Sequence, residues 1–100
     1  MGTARSTRRS LSSEMLAFRD KEIVLDTDCT LTYIGKLLKV TGHFVVLADA
    51  DVHDHKESSS MNEKYLLDSK RYGIRSNRKS VHIRLDRVVS YSLLEDVMDY

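Results

Sequence analysis

Carboxylates and imidazoles alternate just after the longest apolar run of the chain (44–48). On an extended strand every second residue shares a face, and the residues that would share one here are Asp49, Asp51, His53 and His55. Such side chains are suitable ligands for a divalent metal. Same-face neighbours lie about 6.6–7 Å apart, however, so the side chains would converge only in pairs. We therefore expect a solvent-facing strand that runs into a polar loop, with a metal site as the alternative.

The residue types that could act as catalysts lack the surroundings that catalysis requires. Asp54 with a neighbouring histidine could form an acid–base pair, but the sequence reveals no pocket around it. The single cysteine, Cys29, has no local base that marks it as a nucleophile, and we expect it to be a small, partly buried apolar side chain. We expect a protein that is not an enzyme and needs no cofactor. Because a lone cysteine forms no internal disulfide, we expect a reducing compartment, the cytoplasm.

Charge is nearly balanced over the whole chain but unevenly distributed along it. Sixteen Lys and Arg against 15 Asp and Glu give a formal net charge of +1, which argues against indiscriminate nucleic-acid binding. Residues 69–80 nevertheless contain no acid and five basic side chains: Lys70, Arg71, Arg75, Arg78 and Lys79. Such a segment can contact a phosphate chain, with a plain solvated surface as the alternative.

The elements that would position these residues are short strands. The 100 residues are enough for one domain, predicted at 12–100 after a disordered basic tail at 1–11. No apolar run approaches the ~20 residues of a membrane helix. We predict a short helix at 12–18, followed by strands at 23–26, 30–38, 44–47, 81–85 and 88–93, and a possible helical turn within 94–100.

One longer helix is predicted between the third and fourth strands. Ser60 and Glu63 form a capping box, and Gly73 suits the left-handed position that follows a helix. We therefore place a helix at 61–72. Its buried side is predicted to carry Met61, Tyr65, Leu66 and Tyr72.

Two blocks of the chain resemble the two sequence motifs of the Sm-like (LSm/Hfq) family. The first block has Gly35 in the second strand, an apolar residue two places on, a short loop at 41–43 and the strand 44–47. Because a glycine inside a strand usually marks a bulge or a sharp bend, we expect one at Gly35. The second block, 83–89, fits except that Leu85 stands where the family has glycine. The resemblance covers about residues 13–94, with 50–80 as an enlarged variable loop. It implies a mainly β fold, an N-terminal helix followed by a five-stranded, strongly bent antiparallel sheet.

The resemblance also implies a site for the bases of single-stranded RNA. In Sm proteins a uracil lies between a planar side chain of the first loop and an arginine of the second motif, while an asparagine reads its edge. His43 and Arg84 stand at the two planar positions, and Asp86 retains the acid that follows. Thr41 replaces an aspartate of the loop, and Val45 replaces the asparagine. We therefore expect stacking without base selectivity.

The resulting prediction is a non-catalytic protein that binds single-stranded RNA and has no membrane segment. The resemblance implies a homo-oligomeric ring of five to seven subunits, in which strand five of one subunit pairs with strand four of the next. The predicted phosphate contacts are Arg71, Arg75, Arg78 and Lys79. Two alternatives remain at this stage: a purely structural pair of Arg84 with Asp86, and a ring-forming scaffold that has lost the RNA pocket.

Overall fold

Five antiparallel strands form a single sheet in the computed structural model, which describes residues 12–54 and 59–99, without the side chains of 59–61. The strands are β1 (Glu22–Thr27), β2 (Leu31–Val40), β3 (Phe44–Asp54), β4 (Arg78–Arg84) and β5 (Val88–Leu93). Their hydrogen-bonded order is β4-β3-β2-β1-β5. Helical backbone at 12–15, followed by a 3₁₀ turn at Leu16–Phe18, precedes the sheet, and helix α1 (Ser59–Tyr72) lies between β3 and β4. The predicted mainly β architecture with an extra helix is confirmed.

A bulge bends the two longest strands. Asp49 and Ala50 of β3 both lie opposite the single residue Gly35 of β2. Asp49 has a φ of 48°, the left-handed conformation that the first residue of one type of bulge adopts. A Cβ atom on Gly35 would lie 3.0 Å from the Ala50 Cβ and 3.1 Å from the Ala48 carbonyl oxygen. Glycine at this position therefore allows β3 to cross β2 closely, at the bend that the sequence predicted.

Apolar clusters cover both faces of the sheet. Ile23 and Leu25 of β1 are fully buried in the larger cluster, whose other members are Met15, Leu37, Val45, Leu47, Ala50, Ile83 and Leu85. Between them, Val24 points to the opposite face and is buried with Ile34 and Leu94. Tyr65 and Leu66 of α1 pack on this second cluster. The helix and the N-terminal segment that contains Met15 therefore close opposite faces of the sheet.

Helix α1 matches its prediction at the C-terminal end but not in every buried side chain. Gly73 has a φ of 96°, and its N–H donates to the Ser69 carbonyl at 3.0 Å, which confirms the predicted helix end. Tyr65 and Leu66 are half-buried, as predicted. Tyr72 is 81% exposed, so its predicted burial is wrong. The reason is that Ile74, just after the helix, packs against the sheet instead.

The ends of two strands also differ from the sequence-based bounds. β3 continues to Asp54 and β4 begins at Arg78, because polar residues there pair with neighbouring strands. A 3₁₀ turn at Leu94–Asp96 agrees with the turn predicted within 94–100. The predicted tail at 1–11 and the side chains of Ser60 and Met61 lie outside the described part. Within that part, no helix is long and apolar enough to cross a membrane.

Candidate nucleic-acid interface

The loop between β2 and β3 is held by the side chain of Thr41. Its hydroxyl oxygen accepts hydrogen bonds from the backbone N–H groups of His43 at 3.1 Å and Phe44 at 2.9 Å. The Thr41 N–H donates to the Phe44 carbonyl at 2.8 Å, and the Ser12 hydroxyl donates to the Thr41 carbonyl at 3.0 Å. A threonine hydroxyl can fix a turn as a carboxylate does, though more weakly. The replacement of the expected aspartate therefore leaves this loop closed by hydrogen bonds.

The second sequence block joins this loop directly. β4 ends at Arg84, which lies opposite Phe44 in the register of β3 and β4. The next residue, Leu85, donates its N–H to the His43 carbonyl at 2.8 Å and begins a 3₁₀ turn, Leu85–Arg87. Leu85 is buried in the larger core cluster, which accounts for an apolar residue where the family has glycine. The two blocks thus form one hydrogen-bonded unit.

A hollow of about 430 Å³ lies at this junction, and we call it the loop depression; it is lined by Gly42, His43, Phe44, Arg84 and Asp86. It brings together all three residues that the sequence predicted for the base site. Phe44 was not predicted to belong to it. Its ring is 41% exposed and packs edge-to-face with His82 at 6.1 Å between ring centroids. An aromatic residue at the first position of β3, next to His43, is the sequence signal that could have identified it.

Arg84 is oriented by a neighbouring carboxylate. Its Nη2 donates to the Asp86 Oδ2 at 2.8 Å, and the two side chains are 68% and 39% exposed. A surface ion pair of this kind contributes only about 0–1 kcal/mol to stability. The pair holds the guanidinium beside Asp86, and both residues line the loop depression. The structural pair that the sequence left open is therefore present, and it is compatible with stacking on Arg84.

Val45 does not reach the loop depression. Its side chain is fully buried in the larger core cluster. No amide from this position is available to read the Watson–Crick edge of a base. The geometry therefore offers planar surfaces and one acid, a combination suited to stacking on any base.

The basic residues of 69–80 do not form one free cluster. Arg71 pairs with Asp99, and Arg78 donates from Nη1 to the Asn77 carbonyl at 3.0 Å. Arg78 and Lys79 begin β4, whereas Arg84 ends it, so about 20 Å of strand separates them. Arg75 lies in the segment between α1 and β4. Within one chain, Arg78 and Lys79 are therefore remote from the loop depression.

The alternating Asp and His residues of β3 do not converge. The bulge places Asp49 in the left-handed conformation and breaks the two-residue alternation. The Asp51 carboxylate accepts a hydrogen bond from the Tyr65 hydroxyl at 2.6 Å, and the His53 ring stacks on Tyr65 with 3.9 Å between centroids. His55 lies outside the described residues. Among the residues that are described, no three His, Cys, Asp or Glu side chains come close enough to hold a metal.

Among the described residues outside the loop depression, Tyr65 and Cys29 have shifted pKa values. Burial, reinforced by the Asp51 carboxylate, raises the pKa of Tyr65. The Cys29 thiol lies in the turn between β1 and β2, 3.2 Å from the Thr27 hydroxyl, and that hydrogen bond lowers the pKa of Cys29. Cys29 is exposed, so its predicted partial burial is wrong. A turn places the thiol in solvent, whereas composition alone had indicated an apolar environment.

The fold can be compared with known proteins. It is similar to that of the Sm protein of Pyrococcus abyssii, whose structure was solved in complex with a uridine heptamer. The TM-score is 0.56 at 20% sequence identity, and the match covers 81% of this chain and 93% of that one. No protein-family model and no curated protein matches the sequence. A likeness at this identity concerns the fold: the chain has an Sm-like fold.

Proposed function

We propose that this protein assembles into a closed ring and binds single-stranded RNA without catalysing a reaction. The observation that carries the proposal is the convergence of His43, Phe44 and Arg84 at the loop depression. Unstacked bases of single-stranded RNA bind to aromatic rings and to guanidinium planes. The Pyrococcus abyssii Sm protein, which shares the fold, was solved with a uridine heptamer, and this supports RNA as the ligand class.

The edges of the sheet support assembly into a ring. Among the described strands, β4 and β5 lie at the two ends of the sheet. β5 presents Val89, 64% exposed, and a shallow hollow of about 270 Å³ lined by Val88, Val89, Ser90 and Tyr91. Unpaired strand edges with apolar side chains invite pairing with another chain. Pairing β5 of one subunit with β4 of the next, in a ring of five to seven subunits, would leave no edge free.

A ring would also make weak base contacts effective. Each subunit would contribute one loop depression, and one RNA strand that engages several of them gains affinity through effective concentration. Arg75, Arg78 and Lys79 would add phosphate contacts away from the depression, whereas Arg71 is engaged by Asp99. Because Val45 is buried, we expect similar affinities for oligouridine and oligoadenine.

A structural scaffold that has lost RNA binding is the second candidate function. The observation that favours it is the burial of Val45, which leaves the base edge without a polar partner. The formal net charge of +1 favours it as well, because general attraction to phosphate is then weak. A scaffold would form the ring but show no measurable RNA affinity at low salt.

Fluorescence anisotropy with a labelled uridine heptamer tests the proposal. Arg84→Ala should weaken binding by about tenfold or more, since stacking on a planar group contributes roughly 1–3 kcal/mol per base. Lys36→Ala, which also removes one exposed positive charge, is the matched control and should have a much smaller effect. Equal losses in the two variants would leave only charge attraction, and no binding by the wild type at low salt would favour the scaffold.

A further inference from the structure

A second pocket lies between α1 and β3 and shares no residue with the loop depression. We call it the helix pocket. Its volume is about 420 Å³, and the lining side chains that matter are Asp51, Tyr65, Asp68, Ser69, Tyr72 and Arg75. Small-molecule sites commonly have volumes of roughly 300–1,000 Å³. The extra helix α1 forms one wall of this pocket.

Contacts between α1 and β3 form the floor of the helix pocket. Tyr65 donates its hydroxyl hydrogen to Asp51 at 2.6 Å and stacks on His53 with an angle of 13° between the rings. Ser69 is only 6% exposed. These contacts fix α1 to β3, so that the pocket exists before any ligand arrives. Pre-organised sites lose less conformational entropy on binding.

The rim of the helix pocket is also held in place, by the segment that follows α1. The Ser76 hydroxyl donates to the Asp49 carbonyl at 2.8 Å, and the Asn77 N–H donates to the Ala50 carbonyl at 2.9 Å. Arg75 therefore stands on an anchored backbone. Arg75 and Tyr72 both line this pocket, so two side chains that end in planar groups are present where a flat ligand could stack.

The polar groups of the helix pocket define which edge of a flat ligand fits. The Asp68 carboxylate is 44% exposed and pairs with Lys64 at 3.0 Å through one oxygen. Asp51 is the second carboxylate, and an ionised carboxylate only accepts hydrogen bonds. The guanine Watson–Crick edge presents adjacent N–H donors, which a carboxylate can accept together. The uracil edge presents one N–H between two carbonyl oxygens, which the carboxylates repel.

Charge around the helix pocket is divided between its parts. The carboxylates of Asp51 and Asp68 line the pocket, whereas Arg75 gives the rim a positive charge that can contact a phosphate. Arg78 and Lys79 follow within four residues and are exposed. Their positive charges can contact the phosphate of a nucleotide that extends from the pocket toward β4.

We propose that the helix pocket binds a guanine nucleotide of single-stranded RNA. The base stacks on Tyr72 and Arg75, and its N–H edge donates to Asp68. This inference goes beyond the proposed function, because it adds a base-selective site that one subunit completes without a ring. The loop depression, in contrast, stacks bases without selecting among them.

Isothermal titration with guanosine 5′-monophosphate and uridine 5′-monophosphate tests the inference on the full-length protein. The wild type should bind the guanine nucleotide about tenfold more tightly than the uracil nucleotide, a typical discrimination by base-edge contacts. Asp68→Asn should reduce this ratio to about twofold or less, since an amide accepts from guanine and donates to uracil. Tyr72→Ala, at an exposed position, should weaken both nucleotides by about tenfold. Glu63→Gln, the same chemical change at an exposed site on the same helix, should change neither.

Three results would overturn the inference. They are equal affinities of the wild type for the two nucleotides, guanine selectivity that survives Asp68→Asn, and binding of arginine amide in place of either nucleotide. The third would assign the helix pocket to a basic peptide side chain. Failure here is distinct from failure of the proposed function, because uridine-heptamer binding and its loss in Arg84→Ala are measured at the loop depression.

Discussion

Replacing Gly35 by alanine should destabilise the fold through a clash at the bend of the sheet. The added methyl carbon would lie 3.0 Å from the Ala50 Cβ, 3.1 Å from the Ala48 carbonyl oxygen and 3.1 Å from the Leu47 Cβ. None of these atoms is the far end of a flexible side chain. All three belong to β3 where it crosses β2, so relief of the clash requires the strand itself to move.

The size of the effect follows from two opposing contributions. Overpacking a well-packed site costs about 1–3 kcal/mol. Alanine restricts the unfolded chain more than glycine does, which stabilises the folded state by about 0.4–1 kcal/mol. The free energy of unfolding should therefore fall by about 1–2 kcal/mol. For a domain of this size, such a loss lowers Tm by roughly 4–16 °C.

Urea and thermal unfolding, followed by circular dichroism, measure this change. Gly42→Ala is the matched control, because no heavy atom lies within 4 Å of a Cβ added there and its φ is not positive. That variant should be as stable as the wild type or slightly more stable. Both variants should be compared at two protein concentrations, since assembly would couple to unfolding. If Gly35→Ala is as stable as Gly42→Ala, the close crossing of β2 and β3 is refuted.

Two further predictions concern the shifted pKa values. Burial and the Asp51 carboxylate raise the pKa of Tyr65 above its value in the unfolded chain. The protonated hydroxyl therefore stabilises the folded state, fully below about pH 10, and this contribution is lost as the pH rises further. Urea unfolding between pH 8 and 11 should therefore show a steeper decline for the wild type than for Tyr65→Phe, and parallel declines would contradict this. The Thr27 hydroxyl lowers the pKa of the exposed Cys29, so alkylation by iodoacetamide near pH 8 should be slower in Thr27→Ala than in Thr27→Ser. Equal rates in those two variants would show that the hydroxyl does not lower the pKa of Cys29.

Much of the architecture follows from local sequence signals. Gly35 predicted the bend, Gly73 predicted the end of α1, and the two apolar blocks predicted most of the strands. Each of these signals is carried by one residue or by a short run of the sequence. A glycine within a strand pattern, or directly after a helical pattern, can be recognised without knowledge of the tertiary contacts.

The errors arise where distant segments decide the outcome. The extension of β3 to Asp54 depends on pairing with Leu31, which polar residues do not reveal by themselves. Tyr72 lies at helical spacing from Tyr65, and the sequence pattern therefore predicted that Tyr72 packs on the sheet. Ile74 packs there instead. The bulge at Asp49 breaks an alternation that any straight strand would preserve.

The candidate site was partly accessible to sequence reasoning. His43, Arg84 and Asp86 were identified through resemblance to a family and lie together in the loop depression. Phe44 was missed because the sequence pattern was interpreted only as the start of the third strand at this residue. The helix pocket combines residues of β3, α1 and the following segment, so only the packed structure brings them together.

Native mass spectrometry of the untagged protein at low salt, with and without a uridine heptamer, measures ring assembly and RNA binding in one experiment. We expect one assembly of five to seven copies of the 11.5 kDa chain, with a mass increment for bound RNA. Ring closure should persist in Arg84→Ala, while the RNA increment should be lost or greatly reduced. A lone subunit of 11.5 kDa that carries no RNA would contradict both the ring and the base site.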